Sequence, residues 1–264
     1  MKRTAGIRLR TAVCLALCVL VCTGLTVTGT ELPGIGVPAH ADLMNVGGTL
    51  RYYDQLGREA EEIGVDLSQF NNKIDFEALK TQGFGFVVVR LGGRGWGGTG
   101  RLYTDRETQN NLRLAREAGL KVGAYFYSTA VNATEAIEEA AAALKILDGF
   151  PLDLPIWIDM EYSGEYPYGR ADQLSPGTRA DVIETFCTAV REAGYEAGLY
   201  ASEGYVRFDL DAEAVNYLPL WMASYTVDNM LPQYITTYDI WQQTDSAYAG
   251  GADGALDLNI ILPP

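Results

Sequence analysis

Histidine and cysteine are nearly missing from this sequence of 264 residues, which contains one histidine and four cysteines. The single histidine, His40, lies outside any candidate folded core. The sequence therefore offers no Ser-His-Asp triad, no Cys-His pair and no histidine-ligated zinc. Basic residues are also few, 20 against 34 acidic ones, and a pI near 4.5 argues against binding to nucleic acids or anionic membranes. Catalysis, if present, must depend on carboxylates, hydroxyls or a thiol.

The first 41 residues have the pattern of a secretory signal. Four basic residues are followed by an uncharged apolar run from Thr11 to Thr28 and by an Ala-x-Ala cleavage site at residues 39–41. An uncleaved membrane anchor is the alternative for a run of this length. Three of the four cysteines lie in this segment, so the remaining Cys187 cannot form an internal disulfide. We expect a protein secreted to the extracellular space or the cell wall.

The rest of the sequence is more acidic and has uniform composition. Removing residues 1–41 takes four basic residues and one acidic residue from the totals, which changes the net charge from −14 to −17. We expect a lead-in segment at 42–62, with a short helix from Leu50 to Ile63, and a barrel domain at 63–264. Once the signal is cleaved, we expect no association with membranes.

Apolar runs typical of buried strands alternate with helical patterns in most of the chain. Asn132 and Ser175 have the pattern of helix N-caps. After the fifth strand the connecting segments become short and lose the helical pattern. Eight strands of this kind predict an α/β fold, an irregular TIM-like barrel with about five helices. The predicted strands lie at 63–67, 84–90, 121–127, 155–161, 196–200, 218–223, 238–242 and 255–260, and the clearest helices at 106–119, 132–149 and 175–194.

Four acidic residues occur where such a barrel has its active site. Asp159 and Glu161 lie two apart at the carboxyl end of the fourth strand, so their side chains share a face. Asp66 ends the first strand, and Asp257 lies in the last strand, which is its neighbour in a closed barrel. A single acid at a strand end is usually a cap or a solvated turn residue. Four that converge raise the pKa of at least one of them, which produces a general acid near neutral pH.

Such a cluster suits either a divalent cation or a glycosidase. Aromatic residues on or just after the strands favour the glycosidase, because sugar rings stack on aromatic faces, although each ring alone is more typical of a core than of a binding site. The spacing of a calcium-binding loop is absent. We therefore expect no metal. The aromatic residues are Tyr125, Tyr127, Trp157, Tyr162, Tyr200, Trp221, Tyr225 and Trp241.

Seven short motifs, in order and in register over about residues 63–261, resemble glycoside hydrolase family 25, the Chalaropsis-type lysozymes or N-acetylmuramidases. The resemblance implies an eight-stranded barrel with five helices. It also implies hydrolysis of the β-1,4 bond between N-acetylmuramic acid and N-acetylglucosamine in peptidoglycan. We expect a monomer that acts on peptidoglycan strands and needs no cofactor. The motifs are Gly64-Val-Asp66-Leu-Ser68, Gly123-Ala-Tyr125, Ile158-Asp159-Met-Glu161, Gly198-Leu-Tyr200, Leu220-Trp-Met-Ala-Ser-Tyr225, Trp241-Gln242 and Leu256-Asp257-Leu-Asn259.

The resemblance also implies roles for the site residues. Glu161 matches the family's proton donor, and Asp159 matches the acid that assists attack by the substrate's own 2-acetamido group, which gives a retaining reaction. Asp66 and Asp257 match two further acids that line and tune the site. The residues matching aromatic groups of the family's saccharide groove are Tyr125, Tyr200, Trp221 and Tyr225.

Two positions depart from the family pattern. The Gly-rich segment from Arg90 to Gly100 replaces a Lys-x-x-Glu-Gly turn. No Gly-Lys-Ser/Thr follows it, so we interpret it as a rim loop that exposes Trp96 rather than as a phosphate-binding loop. Phe126 stands where the family commonly has a histidine, which predicts the loss of one polar group near the groove.

Two other functions remain open. A chitinase-like hydrolase also has an Asp-x-Glu strand, but it carries a further aspartate at the position of Trp157. A non-catalytic glycan-binding protein on the same barrel is the alternative from another class. Loss of one of the four acids would favour it, and all four are present.

Overall fold

A computed structural model of the protein describes residues 43–71, 73–164, 168–226 and 230–264. The predicted secretory signal at 1–41 lies outside the described residues. Within these four ranges, no helix is both long and apolar enough to cross a membrane.

The described residues form eleven strands and six helices. The strands are β1 (Leu43–Val46), β2 (Thr49–Tyr52), β3 (Glu62–Leu67), β4 (Phe86–Arg94), β5 (Leu102–Thr104), β6 (Lys121–Tyr127), β7 (Ile156–Asp159), β8 (Ala197–Ser202), β9 (Leu220–Ala223), β10 (Ile240–Ala247) and β11 (Leu256–Ile261). The helices are α1 (Phe76–Thr81), α2 (Thr108–Glu117), α3 (Ala133–Leu147), α4 (Pro176–Glu192), α5 (Glu203–Phe208) and α6 (Ala212–Val215).

Eight strands close into a barrel, which confirms the predicted fold class. Their order is β3-β11-β10-β9-β8-β7-β6-β4, and β4 pairs back with β3. Strand β11 is antiparallel to both of its neighbours, β10 and β3, while the other pairs in the ring are parallel. The short strand β5 pairs with the end of β4 outside the ring.

Alternation along the strands separates two apolar clusters. Phe86 and Val88 of β4 pack with aromatic rings inside the barrel, whereas Val87 and Val89 pack in the larger cluster outside it. The inner cluster consists of Phe86, Val88, Tyr125, Trp157, Tyr200, Trp221, Ala223 and Ile240.

Two glycines in the motifs make room for these large inner rings. A Cβ added to Gly64 would lie 2.5 Å from the Phe86 ring, and one added to Gly198 would lie 2.4 Å from the Trp157 ring. Each of these glycines is followed two residues later by a side chain that faces the barrel opening. The Gly-x-Asp and Gly-x-Tyr spacings therefore have a packing cause.

The helix starts follow the predicted caps. The Asn132 side chain accepts from the Glu135 N–H at 3.0 Å, and Glu135 Oε2 accepts from the Val131 N–H at 3.0 Å. Ser175 Oγ accepts from the Thr178 N–H at 3.1 Å, and Pro176 stands at the first turn of α4. At both starts the cap side chain satisfies a backbone donor that a helix otherwise leaves unpaired, and in α3 Glu135 adds a bond back to the preceding segment.

The predicted helix from Leu50 to Ile63 is wrong. Gly47 and Gly48, both at positive φ, form a two-residue turn that joins β1 to β2 as a hairpin. Tyr52 then packs edge-on against Trp241 at 6.0 Å between ring centroids. The apolar spacing in this segment reflects a hairpin packed against the barrel rather than a helical stripe.

The Gly-rich segment is also more regular than predicted. Strand β4 continues through Gly92 and Gly93 to Arg94, and the chain returns as β5. A Cβ on Gly92 would lie 2.2 Å from the Tyr103 carbonyl oxygen, so the close approach of β5 requires glycine there. Trp96 at the turn is 51% exposed, as expected for a rim residue.

We predict that Gly198→Ala lowers the free energy of unfolding by about 1–3 kcal/mol, because the added methyl group overlaps the Trp157 ring. Urea unfolding measures the change. Gly177→Ala in α4 is the matched control, since nothing lies within 4 Å of its added Cβ and its stability should be unchanged or higher. Equal stabilities of Gly198→Ala and the wild type would contradict the packing role.

Candidate active site

The barrel brings the four predicted acids to one opening. Asp159 is the last residue of β7, and Glu161 lies two residues beyond it. Asp66 and Asp257 are directly opposed in the pairing of β3 with β11. Because β11 runs antiparallel, its amino end lies at the same opening as the carboxyl ends of the other strands.

A pocket of about 200 Å³ occupies this opening. The four acids and the four predicted aromatic residues all line it, together with Gln242. Its lining residues are Asp66, Tyr125, Asp159, Glu161, Tyr200, Trp221, Tyr225, Gln242 and Asp257.

Asp66 is held by two amide side chains. Its Oδ2 accepts from Gln242 Nε2 at 2.8 Å and from Asn259 Nδ2 at 2.9 Å. The orientation of each amide is fixed in turn, because Gln242 Oε1 accepts from the Tyr200 and Tyr225 hydroxyls at 2.8 and 2.9 Å. Asn259 Oδ1 likewise accepts from Trp221 Nε1 at 2.7 Å. The network presents donors to Asp66 and favours its ionised form.

The Asp66 and Asp257 carboxyls share their environment. Burial raises the pKa of Asp66 to about 6, against the lowering effect of the hydrogen bonds from Asn259, Gln242 and Asp257. Burial and the charge of Asp66 raise the pKa of Asp257 to about 8. Two opposed carboxyls therefore hold a proton between them at neutral pH, with Asp66 the more acidic partner.

Asp159 and Glu161 are also shifted. Burial raises the pKa of Asp159 well above its ordinary value, and the charges of Glu161 and Asp66 add to the effect. Glu161 lies exposed at the pocket mouth, where the surrounding protein removes part of its hydration and, with the charge of Asp66, raises its pKa to about 7. Glu161 thus has the proton affinity of a general acid near neutral pH.

One oxygen of Asp159 lacks a partner within the described residues. Asp159 is 4% exposed, and its Oδ1 is buried without a hydrogen bond. A buried carboxylate oxygen without a donor is costly. Asp159 lines the pocket, so its carboxyl group has hydrogen-bonding capacity that the described residues do not use.

Arg90 places a positive charge beside the acids. It follows the inner-facing residues of β4 and is 9% exposed, and its charge partly opposes the burial that raises the pKa of Asp159. Its Nε donates to Asp105 Oδ2 at 2.7 Å, and its guanidinium lies 4.7 Å from the centroid of the Phe70 ring. Asp105 also accepts from the Gln69 N–H at 2.9 Å. Arg90 is therefore fixed between the ends of β3 and β5.

The predicted aromatic residues occupy different depths. Trp221 is 1% exposed and forms the pocket floor, with Tyr125 and Tyr200 packed edge-on against it. Tyr225 is 55% exposed at the mouth. The inner three rings shape the pocket, while Tyr225 offers an open face.

Three residues of this site were not singled out from the sequence: Gln242, Asn259 and Arg90. Asn259 follows Asp257 by two, so the alternation that related Asp159 to Glu161 also places it on the inner face. Gln242 stood in a motif without an assigned role. Arg90 could have been found from the sequence, because it is a basic residue at the end of an apolar run that predicts a buried strand.

The expected effect of Phe126 is wrong. The residue is fully buried on the outer face of β6 and packs against Phe186 of α4, with ring centroids 6.4 Å apart. Alternation directs Tyr125 and Tyr127 towards the opening and Phe126 away from it. This position contributes to packing between the barrel and a helix rather than to the groove.

The arrangement combines a proton donor, an unpaired carboxylate oxygen and two carboxyls that share a proton, all beside aromatic rings. Such a set can protonate a leaving oxygen and stabilise positive charge that develops nearby. The described residues contain no group of three or more His, Cys, Asp or Glu side chains placed to hold a metal ion.

Residues 65–252 match the family model described as glycosyl hydrolases family 25. The chain is 28% identical over 197 residues to an autolytic lysozyme of Clostridium acetobutylicum, a match that covers 74% of this chain and 54% of that protein. It is 26% identical over 196 residues to a probable family 25 lysozyme of Dictyostelium discoideum, covering 73% of this chain and 80% of that protein.

Among solved structures, the fold resembles the modular autolysin LytC from Streptococcus pneumoniae with a TM-score of 0.69. The identity is 22%, and the match covers 82% of this chain and 51% of that one, so it supports the fold alone. The chain spans about half the length of both the clostridial lysozyme and this autolysin.

We predict that Asp257→Asn raises the free energy of unfolding at pH 8 by about 1 kcal/mol or more. A carboxyl whose pKa rises on folding binds more protons in the folded state, so it lowers stability as the pH rises from about 4 towards about 8. Asparagine does not titrate, so this loss is removed and the free energy of unfolding should fall less between pH 5 and pH 8.

Urea unfolding at pH 5 and pH 8 tests this prediction. Asp211→Asn, at an exposed acid outside the pocket, serves as the control. An Asp257→Asn protein that loses stability with pH as steeply as the wild type would show that Asp257 does not carry the proton.

Proposed function

The chain belongs to glycoside hydrolase family 25, and we propose that it is a lysozyme that hydrolyses the β-1,4 bond between N-acetylmuramic acid and N-acetylglucosamine in peptidoglycan. The observation that carries the proposal is the convergence of four acids with raised pKa values in one pocket lined by aromatic rings. The lysozyme relatives support the same substrate.

Glu161 is the proton donor in this proposal. Its carboxyl is at the pocket mouth, and its pKa of about 7 keeps it largely protonated at slightly acidic pH. It gives its proton to the glycosidic oxygen as the bond from that oxygen to the anomeric carbon breaks. The resulting carboxylate then accepts a proton from the water that completes the reaction.

Asp159 assists the substrate's 2-acetamido group. The carbonyl oxygen of this group attacks the anomeric carbon from the face opposite the leaving oxygen, while Asp159 Oδ1 accepts its N–H. The support is the buried and unpaired state of Oδ1. Burial raises the pKa of Asp159, and nearby Arg90 opposes this increase. In its ionised form the carboxylate can also stabilise positive charge on the acetamido group.

Asp66 and Asp257 set the electrostatic field of the site. Asp66, held by Gln242 and Asn259, is the more acidic partner and supplies negative charge near the anomeric carbon. The charge of Asp66 is also the second cause of the raised pKa of Glu161. Tyr125, Tyr200, Trp221 and Tyr225 would then surround the bound sugar.

Secretion is part of the proposal. The signal pattern at residues 1–41 and the substrate, which lies outside the cell membrane, agree with export and removal of this segment. N-terminal sequencing of the protein from culture medium would locate the cleavage site.

We expect Glu161→Gln to lower the release of reducing ends from Gram-positive cell walls by about 10²–10⁴-fold, because the amide cannot donate the required proton. Turbidity loss and reducing-end assays measure the effect. Glu192→Gln, at an exposed acid at the end of α4, is the matched control and should keep full activity.

Two results would contradict this proposal. A wild-type protein that binds walls but releases no reducing ends would favour the non-catalytic glycan-binding protein. Equal clearing by Glu161→Gln and the wild type would remove Glu161 from the proton-donor role.

Assistance by the acetamido group predicts retention, so the first N-acetylmuramic acid product should carry the β configuration. Proton NMR during the first minutes, before mutarotation, distinguishes the anomers. An α product at the earliest times would point to direct attack by water.

A further inference from the structure

The carboxyl group of Glu161 is not held by hydrogen bonds within the part of the chain that the structure describes. The causes of its raised pKa are burial and the charge of Asp66, with no hydrogen bond among them. Asp66, in contrast, accepts from two fixed amides. A general acid must nevertheless be placed accurately against the leaving oxygen. The position of Glu161 therefore depends on how the backbone on each side of it is held.

The backbone before Glu161 is held by the barrel itself. The Asp159 carbonyl accepts from the Ser128 N–H at 2.9 Å, and the Met160 N–H donates to the Tyr200 carbonyl at 3.0 Å. The Met160 side chain is 1% exposed and packs in the apolar cluster outside the barrel. Hydrogen bonds to both neighbouring segments thus fix the chain as far as Met160.

The backbone after Glu161 is held by Asp172. Its Oδ1 accepts from the Ser163 N–H at 3.1 Å, and its Oδ2 accepts from Ser163 Oγ and from the Gly169 N–H, both at 2.7 Å. A Cβ added to Gly169 would overlap Ser163 Oγ, so this close approach requires glycine. Burial would raise the pKa of Asp172, but these hydrogen bonds outweigh it and lower the pKa. An ionised carboxylate therefore ties Ser163 to Gly169.

Arg179 of α4 connects Asp172 to the end of α5. It is 2% exposed, and its Nη2 donates to the Asp172 carbonyl at 2.7 Å. Its Nη1 donates to the carbonyl and to Oδ1 of Asp209, both at 3.1 Å. The guanidinium also lies 5.1 Å from the ring centroid of Tyr205 and 6.0 Å from that of Tyr162. We call these five residues the Arg179 cluster.

Tyr162 links this cluster to the acid, because it directly follows Glu161 in the chain. Its ring packs edge-on against Tyr205, with 5.3 Å between the centroids. The interaction of its hydroxyl with Asp209 raises the pKa of the phenol. Glu161 thus lies between Met160, which the barrel holds, and Tyr162, which the Arg179 cluster holds.

We propose that Arg179 is a positioning residue for the proton donor, because it holds the backbone that follows Glu161 and so keeps the Glu161 carboxyl at the pocket mouth. Arg179 is not among the residues that line the pocket, and it acts through Tyr162 and Asp172. The inference rests on the proposed function and extends it to a buried residue outside the motifs. An arginine that only stabilised the fold would change the free energy of unfolding and nothing at the acid.

Release of this backbone has two measurable effects on the acid. A displacement of about 1 Å costs up to about 10²-fold in rate, so kcat falls, while KM depends on other contacts and changes little. A displaced carboxyl is also more hydrated, which lowers its pKa from about 7. Because Glu161 must be protonated to act, the loss of kcat/KM at alkaline pH then begins at a lower pH.

Kinetics on soluble glycan strands test the inference. Arg179→Met keeps an unbranched side chain but removes the charge and the hydrogen bonds. We expect kcat to fall about tenfold to hundredfold, with KM within about threefold of the wild type. The alkaline limb of kcat/KM should move by about half a pH unit or more to lower pH. Arg191→Met is the matched control, since Arg191 lies at the other end of α4 and its guanidinium is 5.6 Å from the Tyr217 ring centroid. It should keep the wild-type kcat and pH profile.

Two further comparisons separate positioning from loss of stability. Tyr162 is 48% exposed, so Tyr162→Ala should fold and should lower kcat in the same way as Arg179→Met. Tyr162→Phe keeps the ring and should retain kcat within about threefold of the wild type. Phe186→Leu alters the packing of the same helix against Phe126 outside the barrel. It should lower the melting temperature but leave kcat and the pH profile unchanged.

The pKa of Glu161 can also be measured without turnover, by carbon-13 NMR titration of protein labelled at the glutamate carboxyls. Arg179→Met should lower this pKa by about half a pH unit or more. The other carboxyls that interact with Glu161 are Asp66, Asp159 and Asp257, and the variants leave all three in place.

Unchanged kcat and an unchanged Glu161 pKa in Arg179→Met and Tyr162→Ala would overturn the inference. An increase in KM alone would also do so, because it would make Tyr162 a substrate contact. An equal decrease of kcat in Phe186→Leu would reduce the effect to stability. Failure of the proposed function is distinguishable, because the wild type would then release no reducing ends, while the NMR titration would still show whether Arg179 holds Glu161.

Discussion

The collection of four carboxyl groups in one barrel mouth is the constraint on which the rest of the site depends. Like charges this close repel, and burial removes the water that would otherwise screen them. As a result, the pKa values of the carboxyl groups are raised, and Asp66 and Asp257 share a proton. The side-chain amides of Gln242 and Asn259 donate hydrogen bonds to Asp66. Burial, with the charge of Asp66, also raises the pKa of Glu161 to about 7, so a substantial fraction of this carboxyl stays protonated near neutral pH. Stability and catalysis therefore make opposite demands on these residues.

Closure of the barrel is what brings the acids together. Asp66 and Asp257 are far apart in the chain. They meet because the last strand, β11, inserts antiparallel beside β3, the first strand of the barrel. The aromatic rings below the acids fill the barrel and also orient polar side chains of the site. Trp221 fills the barrel and also orients Asn259, and Tyr200 both packs against Trp221 and orients Gln242. Packing and polar orientation are thus performed by the same side chains, so a change in the inner core would also disturb the field at the acids.

Much of the fold and the acid cluster could be predicted from local patterns. The alternation of β7 related Asp159 to Glu161, and the caps Asn132 and Ser175 set the helix starts. What the sequence did not reveal depends on contacts between distant segments. A helix was predicted from Leu50 to Ile63, because nothing near these residues in the chain signals that Tyr52 packs on the distant Trp241. Phe126 was expected at the groove, although neighbouring residues of a strand face opposite sides of the sheet and Tyr125 already faces the groove. Strand β4 has a bulge at Leu91, the extra residue between Arg90, paired with Tyr125, and Gly92, paired with Phe126. This bulge has no local signature beyond two glycines, although it decides that Arg94 faces outwards.

That bulge separates two tasks on one strand. Before it, Arg90 faces the acids and partly opposes the effect of burial, which raises the pKa of Asp159. After it, Arg94 faces α3, forms hydrogen bonds with Glu138 and Glu139, and anchors the hairpin rim from outside. The two arginines are four residues apart, but Arg90 acts on an acid of the pocket, while Arg94 acts on glutamates of α3 outside the barrel. The groups that anchor the rim therefore lie on the opposite side of the sheet from the pocket, and Arg94 is not among the causes of the pKa shifts of the four acids. One strand thus supplies a charge to the site from its inner face and an attachment to a helix from its outer face.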